Sequence, residues 1–519
     1  MSRRDDDPGL PIPFGPCSNG EYDPLPLSPG LREVIRRANL ACDENARRLG
    51  MSRRDFLRTA SAAATTLLTL AACSRDARRS APPSSSIAES TTASTVPSTT
   101  TTAPYGTGGT YALPPSTAVD ITEAEAVLGG EEFVFDVQGH VLEYDLLNPS
   151  SGTRSDGLGH DFWNRFPQQA CGEADARACY SIERFLEAMF LQSDNDMVVV
   201  SALPLEPEHS PASDAVLDLT RRIAEQLCPD PRVLMHAQAL PNVGPLPANL
   251  EAMEDAVGRY PIAAWKAFTD YPQRWGRPGA WRFDDADPAL PAVGQAFISK
   301  ALELGKPIIC VHKGLSGGGP YADPSDLGPA ANANPEATFV AYHSGYEVGG
   351  GEGEYRATGR PAGVDRLVRT VLDANLGTKS NVYAELGSTW WSLMGHPDQA
   401  AHVLGKLLLH LGDDNVLWGT DSIFYGAPQA QLQAFRSFEI TPEYQERFGY
   451  PALTPERKAK ILGLNAARVY GVKPVTTPCG FTRDDLVAAR KTLNVSFETF
   501  GPQTVWQRHV FVDAHHGMP

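Results

Sequence analysis

Eight short apolar runs rich in β-branched residues alternate with helix-like stretches through the larger, C-terminal part of the chain. Such alternation is typical of a parallel sheet whose strands are joined by crossover helices. Eight such units predict a (β/α)8 TIM barrel, which we place at residues 120–475. The predicted strands are residues 133–137, 196–203, 232–239, 262–268, 307–311, 338–342, 381–386 and 416–418.

A doubly wound open sheet is the alternative fold for the same alternation. Nucleotide-binding sheets of that kind carry a glycine-rich loop after the first strand, in the pattern GxGxxG or GxxxxGK[ST]. Neither pattern follows residues 133–137. The barrel is therefore favoured, and residues 476–519 form a C-terminal extension beyond it.

The composition of the chain indicates which class of protein it is and which ligands it can bind. Hydrophobic residues make up 42% of the chain and charged residues 21%, which is usual for a soluble globular protein. The formal net charge is -17 at pH 7, and an acidic surface repels the phosphates of nucleic acid. The eight cysteines include no CxxC pair, although Cys171 and Cys179 are close enough in sequence to form a disulfide. We therefore expect a small-molecule substrate and no nucleic-acid partner.

The N-terminal part of the chain carries the pattern of an export signal. Arg53 and Arg54 stand ahead of a short Ala-rich apolar run at residues 59–72, which predicts a twin-arginine signal. The run ends in Leu-Ala-Ala-Cys at 70–73, which resembles a bacterial lipobox. We therefore expect residues 51–73 to be a signal and Cys73 to be lipidated. The mature protein would then be a lipoprotein on the outer face of the cell membrane, attached through the lipid alone.

The residues on either side of this signal do not have the pattern of a folded domain. Residues 1–50 are interpreted as a cytosolic leader, and a start site misplaced upstream of Met51 is the alternative. Residues 80–104 are almost wholly Ser, Thr, Ala and Pro, a composition that cannot bury a core. We therefore expect residues 74–115 to be a disordered linker between the signal and the barrel.

Four of the predicted strands end in histidine or aspartate. Gln138 and His140 follow the first strand, His312 the fifth, His343 the sixth and Asp421 the eighth. Because active sites of TIM barrels lie at the carboxyl ends of the strands, we expect these side chains to meet. Imidazole and carboxylate groups are ligands that zinc prefers. The sequence therefore predicts a metal-binding active site at this end of the barrel.

These segments resemble the amidohydrolase-related branch of the amidohydrolase superfamily. The resemblance rests on Phe-Asp-Val-Gln-Gly-His at 135–140, His312, Tyr-His-Ser-Gly at 342–345 and Leu-Trp-Gly-Thr-Asp at 417–421. A closing segment at 461–471 is similar to the terminal signature of that family. Together these segments imply a metal-dependent enzyme over about residues 131–472.

The resemblance also implies a role for each strand-end residue. His140 and His312 would bind the metal, and Asp421 would contact both the metal and its water. His343 would be a further metal ligand, or would polarise the substrate and carry protons. A bound divalent ion lowers the pKa of water toward neutral, and a neighbouring carboxylate or imidazole accepts its proton. The expected metal is zinc, with manganese as the alternative.

One position departs from the family pattern. The family usually places two histidines in an HxH motif after the first strand, where this chain has Gln138-Gly139-His140. The carbonyl oxygen of Gln138 would be a weaker zinc ligand than imidazole. The site therefore holds metal through fewer strong ligands, holds a different metal, or has lost metal binding.

Three further residues are candidates for substrate binding. Lys266 lies near the end of the fourth predicted strand, Arg274 in the loop after it and Trp390 in the loop after the seventh. Cationic and aromatic side chains at the mouth of a pocket suit a planar or carboxylated organic substrate.

Three functions are compatible with this sequence. The first is a metal-dependent hydrolase in which metal-activated water attacks a C–N or C–O bond of a small organic substrate. The second is a metal-dependent, non-oxidative decarboxylase of an aromatic or unsaturated acid, an activity that the same family branch includes. The third is a surface lipoprotein that binds a metal or ligand without catalysis. Release of carbon dioxide separates the first two, and metal content separates both from the third.

Overall fold

A computed structural model describes residues 9–15, 17–19, 22, 25–80, 108–143, 171, 176–203, 212–269, 280–315 and 322–493. Within these residues there are ten strands. In chain order they are β1 (Gly109–Tyr111), β2 (Phe135–Gly139), β3 (Met197–Ser201), β4 (Val233–Gln238), β5 (Ile262–Phe268), β6 (Ile308–His312), β7 (Thr338–Tyr342), β8 (Val382–Glu385), β9 (Val416–Leu417) and β10 (Phe438–Ile440). Strands β2–β9 form one sheet in chain order, with every neighbouring pair parallel. The predicted TIM barrel is confirmed, and all eight predicted strands are present.

The sheet closes where β9 returns to β2. The N–H of Val137 donates to the carbonyl of Trp418 at 3.0 Å, and the N–H of Asp421 donates to the carbonyl of Gln138 at 2.9 Å. A parallel bridge between Gly139 and Ser422 continues the contact. Closure therefore brings the residues that follow the first barrel strand next to those that follow the last.

Alternation of side chains along each strand divides the core into two layers. In β3, Met197 and Val199 belong to the cluster inside the barrel, whereas Val198 and Val200 belong to the cluster between strands and helices. Both layers are apolar because a parallel barrel strand is covered on both faces. The near-continuous apolar runs in the sequence follow from this double burial.

Helices surround the barrel and are amphipathic in the manner expected of a surface layer. In the helix after β2, Ile182, Phe185, Leu186 and Met189 are buried at the spacing of one helical face, and Ser181 caps its first turn. The helices from residue 121 onward are Ile121–Leu128, Ile182–Phe190, Asp214–Leu227, Leu246–Arg259, Gly294–Glu303, Leu327–Ala333, Asp365–Asp373, Thr389–Leu393, Pro397–His410, Gln429–Ser437, Pro442–Phe448, Pro455–Ala459, Asn465–Tyr470 and Arg483–Leu493, with a π-helical turn at Lys460–Leu464.

Three helices precede the barrel: Pro29–Arg48, Arg53–Phe56 and Ala60–Ser80. The first and third pack against each other, and the third buries Leu67 and Leu70 completely. The twin-arginine residue Arg53 forms an ion pair with Asp43, and Cys73 is buried in the third helix. Of the helices that the structure describes, none has the apolar length needed to cross a membrane. Export and lipidation stay predictions.

Residues 74–115 were expected to be a disordered linker, but the structure shows ordered elements at both ends of this range. Residues up to Ser80 continue the helix Ala60–Ser80, and Gly109–Tyr111 form β1, which pairs antiparallel with β10. Residues 109–111 are ordered because β10 supplies hydrogen-bond partners for their backbone groups. The composition of the segment gives no sign of this pairing. Residues 81–107 lie outside the described part of the chain.

Two disulfides tie loops to the barrel layer. Cys171 pairs with Cys179, as the sequence suggested, and Cys228 pairs with Cys479 across 251 residues. The second bridge attaches the C-terminal extension to the end of the helix Asp214–Leu227. The described part of that extension ends in the helix Arg483–Leu493.

Candidate active site

The strand ends predicted from the sequence converge at the carboxyl end of the barrel. Gln138, His140, His312, His343 and Asp421 are all buried, and none is more than 2% exposed. His140 and Asp421 are in contact, and the rings of His312 and His343 lie 4.8 Å apart, centroid to centroid. The predicted metal and catalytic residues therefore share one buried region.

The carboxylate of Asp421 is the centre of this region. Its Oδ1 lies 3.1 Å from Nε2 of Gln138 and 3.2 Å from Nε2 of His140. Its Oδ2 accepts hydrogen bonds from Oγ of Ser388 at 2.5 Å and from Nδ2 of Asn19 at 2.7 Å. Burial by itself raises the pKa of Asp421, but the hydrogen bond from His140, the histidine charges and Ser388 together lower it below its usual range. Asp421 is therefore an ionised acceptor held from both sides.

Backbone carbonyls fix the orientation of two of the histidines. Nδ1 of His140 lies 2.9 Å from the carbonyl of Ser201, and Nδ1 of His343 lies 2.7 Å from the carbonyl of Gly387. A carbonyl oxygen only accepts, so Nδ1 carries the proton in both rings. In the neutral form of each ring, the lone pair is therefore on Nε2, and that of His140 faces Asp421.

The histidines of β6 and β7 are uncharged near neutral pH. Burial lowers the pKa of His343 to about 4, with Asp421 opposing this change and Lys266 adding to it. Burial, followed by the neighbouring His343 and Lys266, lowers the pKa of His312 well below its usual range. Neutral imidazole is the form that binds metal or accepts a proton.

These lowered pKa values predict acid sensitivity of the fold. Between about pH 6.5 and pH 4 the unfolded chain binds a proton at residue 343 that folded His343 does not, so the free energy of unfolding falls as pH falls. The shift corresponds to about 3 kcal/mol once pH is below 4. We expect His343→Gln to flatten the dependence of melting temperature on pH across this window in metal-free protein. Equal slopes in variant and wild type would show that His343 titrates normally.

Lys266 is a buried cationic residue beside the candidate site. It is 1% exposed at the end of β5, and its Nζ lies 3.9 Å from the ring centroid of Tyr342 and 5.1 Å from that of Phe268. Aromatic faces stabilise a buried ammonium group. Its effect on the pKa values of His312 and His343 places it beside the predicted site, as expected of a residue that binds a substrate carboxylate.

Two further buried acids hold the backbone of the site in place. Glu385 accepts from the N–H of His343 at 3.0 Å and from the N–H of Gly387 at 2.5 Å, and burial raises its pKa well above the usual range. Asp136 accepts from the N–H groups of Gln138 and Thr420, and burial raises its pKa to about 7. Each acid links two strand ends, so both fix the spacing of the catalytic side chains.

Left-handed backbone conformations cluster at these strand ends. His343, Ser344, Ser388 and Asp421 have φ values of 66°, 54°, 56° and 58°. Residues other than glycine rarely adopt such angles, and positions that do are concentrated at active sites. These left-handed conformations cost conformational free energy, and they orient the strand-end side chains toward the site.

The imidazole and carboxylate groups of this site are of the kinds that bind divalent cations. When His140 is neutral, its Nε2 and Oδ1 of Asp421 are two acceptors facing each other at 3.2 Å, an arrangement that a cation between them relieves. Within the described residues, however, no three His, Cys, Asp or Glu side chains surround one point. His140 and Asp421 are thus the pair that would hold the ion, with His312 and His343 nearby.

In this structure the amide nitrogen of Gln138 faces the site, and not the oxygen that was predicted to bind metal. Its nitrogen faces Asp421, because the carboxylate attracts the amide hydrogen, and the carbonyl oxygen that was expected to bind metal does not face this pair. That oxygen is buried and has no hydrogen-bond partner among the described residues. An unsatisfied buried acceptor of this kind costs free energy.

Trp390 is also placed differently from the prediction. Its indole nitrogen donates to the carbonyl of Gln431 at 2.9 Å, and its ring packs edge-on against Phe435 and Phe438. Since both the ring and its polar atom are used in packing, Trp390 is a core residue and not a substrate contact. Arg274, the other loop candidate, lies outside the described residues.

Sequence reasoning missed the hydroxyl and amide groups around Asp421. Ser388 contacts both Asp421 and the hydroxyl of Tyr425, at 2.5 and 2.7 Å. Asn19 reaches the same carboxylate from 402 residues earlier in the chain. Isolated Ser, Tyr and Asn residues carry no motif, so only the fold reveals them.

The scan against family models matches residues 220–472 to the family described as Amidohydrolase. This range contains barrel strands β4–β9 and three of the four converging strand ends. Over this range the chain matches the amidohydrolase family. The predicted resemblance is confirmed, and the family is one of metal-dependent enzymes. Comparison with curated protein sequences finds no match.

Three solved structures are similar to this chain at low identity. An uncharacterised TIM-barrel protein from Bordetella bronchiseptica is 17% identical, with 65% of this chain and 98% of that chain covered and a TM-score of 0.40. 5-Carboxyvanillate decarboxylase from Sphingomonas paucimobilis is 14% identical, with 66% and 100% covered and a TM-score of 0.37. 4-Oxalomesaconate hydratase from Rhodopseudomonas palustris is 16% identical, with 70% and 100% covered and a TM-score of 0.35.

Proposed function

We propose that this protein is a metal-dependent hydrolase that uses water to cleave a C–N or C–O bond of a small organic substrate. The observation that carries the proposal is the buried contact between Nε2 of His140 and Oδ1 of Asp421, with neutral His343 beside it. A divalent cation held by His140 and Asp421 would supply water of lowered pKa and polarise the bond under attack.

The side chains of this chain divide the remaining tasks. Asp421 is ionised, so its carboxylate orients a hydrogen-bond donor of the substrate or of water. His343 is neutral and its Nδ1 is fixed by Gly387, so Nε2 is the atom that takes up and returns a proton. Burial of all these groups strengthens each electrostatic contact.

The second candidate is decarboxylation, and Lys266 favours it. A buried ammonium group between the rings of Tyr342 and Phe268 is suited to an aromatic or unsaturated substrate that carries a carboxylate. Both proposals share the site and differ in whether the carboxylate is retained or lost.

The deciding experiment is a product assay on the purified full-length protein. Metal content is measured first, and the protein is then incubated with a panel of aromatic and unsaturated acids, amides and lactones. Formation of an acid without carbon dioxide supports the hydrolase, and carbon dioxide supports the decarboxylase. Protein that binds no zinc or manganese and turns over none of these compounds would contradict both.

Metal affinity should rise when Gln138 is replaced by histidine. The substitution exchanges an amide for imidazole beside Asp421 and creates the motif usual for the family, so we expect the affinity for zinc to rise by about tenfold or more. Isothermal titration of metal-free protein measures the change. Gln138→Leu is the matched control, since it removes the amide without adding a ligand. Equal affinity in Gln138→His and wild type would show that position 138 does not face the ion.

A further inference from the structure

Six residues near the start of the chain are buried against the barrel. They are Ile12, Phe14, Cys17, Ser18, Asn19 and Tyr22, and none is more than 8% exposed. We call these six residues the N-terminal cap. The cap precedes the helix Pro29–Arg48, in the region interpreted from sequence as a leader. It is therefore part of the folded molecule in this structure.

The cap contacts the candidate site directly. Nδ2 of Asn19 donates to Oδ2 of Asp421 at 2.7 Å. The hydroxyl of Tyr22 lies 3.0 Å from that of Tyr425, which in turn contacts Ser388, another donor to Asp421. Asn19 is 3% exposed, so its amide fills the space in front of this carboxylate oxygen.

Asn19 contacts Asp421 in the way that a hydrogen-bond donor of a bound ligand would. Asn19 carries a primary carboxamide, and its N–H group satisfies the acceptor that the proposed function assigns to substrate or water. A substrate that binds Asp421 through an amide N–H or a hydroxyl must therefore replace Asn19. The carboxamide occupies the place of such a donor.

Packing between the cap and the barrel is incomplete. A cavity of about 270 Å³ separates them, lined on the cap side by Phe14 and Tyr22 and on the barrel side by Tyr346, Trp391 and His396. Cap residues Cys17 and Tyr22 join the barrel through a weak thiol contact to the Phe424 carbonyl and through hydrogen bonds of the Tyr22 hydroxyl to Tyr425 and Ser392. Ile12, Phe14, Cys17 and Tyr22 pack into the hydrophobic core, but the cavity removes neighbours from one side of the cap, and segments with fewer neighbours open at lower free energy.

We propose that the N-terminal cap closes the candidate site, and that Asn19 holds Asp421 in place of a substrate hydrogen-bond donor until the cap opens. The inference rests on the proposed function only in taking Asp421 as the carboxylate that substrate or water contacts. It implies that the group that replaces Asn19, on the substrate or on water, is an N–H or O–H donor.

Cap opening is measured on the full-length protein through Cys17. Burial raises the pKa of this thiol, so it reacts with iodoacetamide only when the cap opens. We expect Asn19→Ala to raise the labelling rate of Cys17 by about tenfold, since it removes a hydrogen bond to a charged group. Asn19→Asp places a second carboxylate beside Asp421 and should raise the rate further.

Two buried thiols and one variant supply the controls. Cys310 in β6 reports global unfolding and Cys42 reports opening of the helix Pro29–Arg48, and both rates should stay unchanged. Asn39→Ala removes the asparagine hydrogen bonds to the Ile35 carbonyl and from Arg53, neither of which involves the cap, and should leave Cys17 protected. Labelling of Cys17 and Cys310 at one common rate, or Asn19→Ala at the wild-type rate, would overturn the proposal. The readout needs no turnover, so failure of the proposed hydrolase leaves this test intact.

Discussion

Replacing Asp421 with asparagine should lower turnover at least about a hundredfold, because the neutral amide removes both a ligand charge and an oriented acceptor. The structure sharpens this expectation, since Asp421 accepts from Asn19, Gln138 and Ser388 and contacts Nε2 of His140. An amide NH₂ group in its place meets at least one hydrogen-bond donor. Turnover is measured on the substrate found by the product assay.

The fold should survive this substitution with a measurable cost. One unsatisfied or reoriented hydrogen bond in a buried network costs about 1–3 kcal/mol, which lowers the melting temperature without unfolding the barrel. Ser388→Ala is the matched control, because it removes one donor to Asp421 and keeps the carboxylate. We expect that variant to retain most of its turnover. Near-normal turnover in Asp421→Asn would remove Asp421 from the mechanism.

The convergence of histidines and aspartate was predictable from sequence for a physical reason. A parallel barrel gathers the carboxyl ends of all its strands at one end, so polar residues after apolar runs must meet there. The alternation of strands and helices was strong enough to locate all eight strands within a few residues. His140, His312, His343 and Asp421 therefore meet as the pattern required.

Details that depend on side-chain direction or on distant contacts were not predictable. Gln138 was placed correctly, but the charge of Asp421 decides which end of its amide faces the site. Trp390 was interpreted as a loop residue, whereas its helix turns it into the core. Asn19 and the bridge from Cys228 to Cys479 join segments hundreds of residues apart, and no local pattern specifies such a pairing.

The loop after β7 is anchored by a buried lysine. Nζ of Lys406, in the helix Pro397–His410, lies 2.7 Å from Oε2 of Glu352 and 2.7 Å from Oδ1 of Asp365, and the lysine is 1% exposed. Despite this ion pair, burial keeps the pKa of Glu352 raised. The loop runs from the site residue His343 past Tyr346, which lines the cavity beneath the N-terminal cap. This ion cluster therefore supports the wall of the site.

Lys406→Met should destabilise the protein by about 3–5 kcal/mol at neutral pH, because it leaves two buried carboxylates without their cation. Methionine has similar length, so the loss comes from charge and not from a cavity. Denaturant unfolding of variant and wild type measures the difference. Lys300→Met is the control, since Lys300 pairs with the exposed Glu254 and Glu303, and we expect little change there.

The pH dependence of the same variant separates charge from packing. Burial already raises the pKa of Glu352 and Lys406 opposes this change, so without Lys406 the folded-state pKa of Glu352 rises further and folding favours its protonated form. Stability relative to wild type should therefore recover as pH is lowered toward 5 and worsen as it rises toward 8. A destabilisation that is the same at both pH values would mean that the methylene packing of Lys406, and not its charge, holds the loop beside His343.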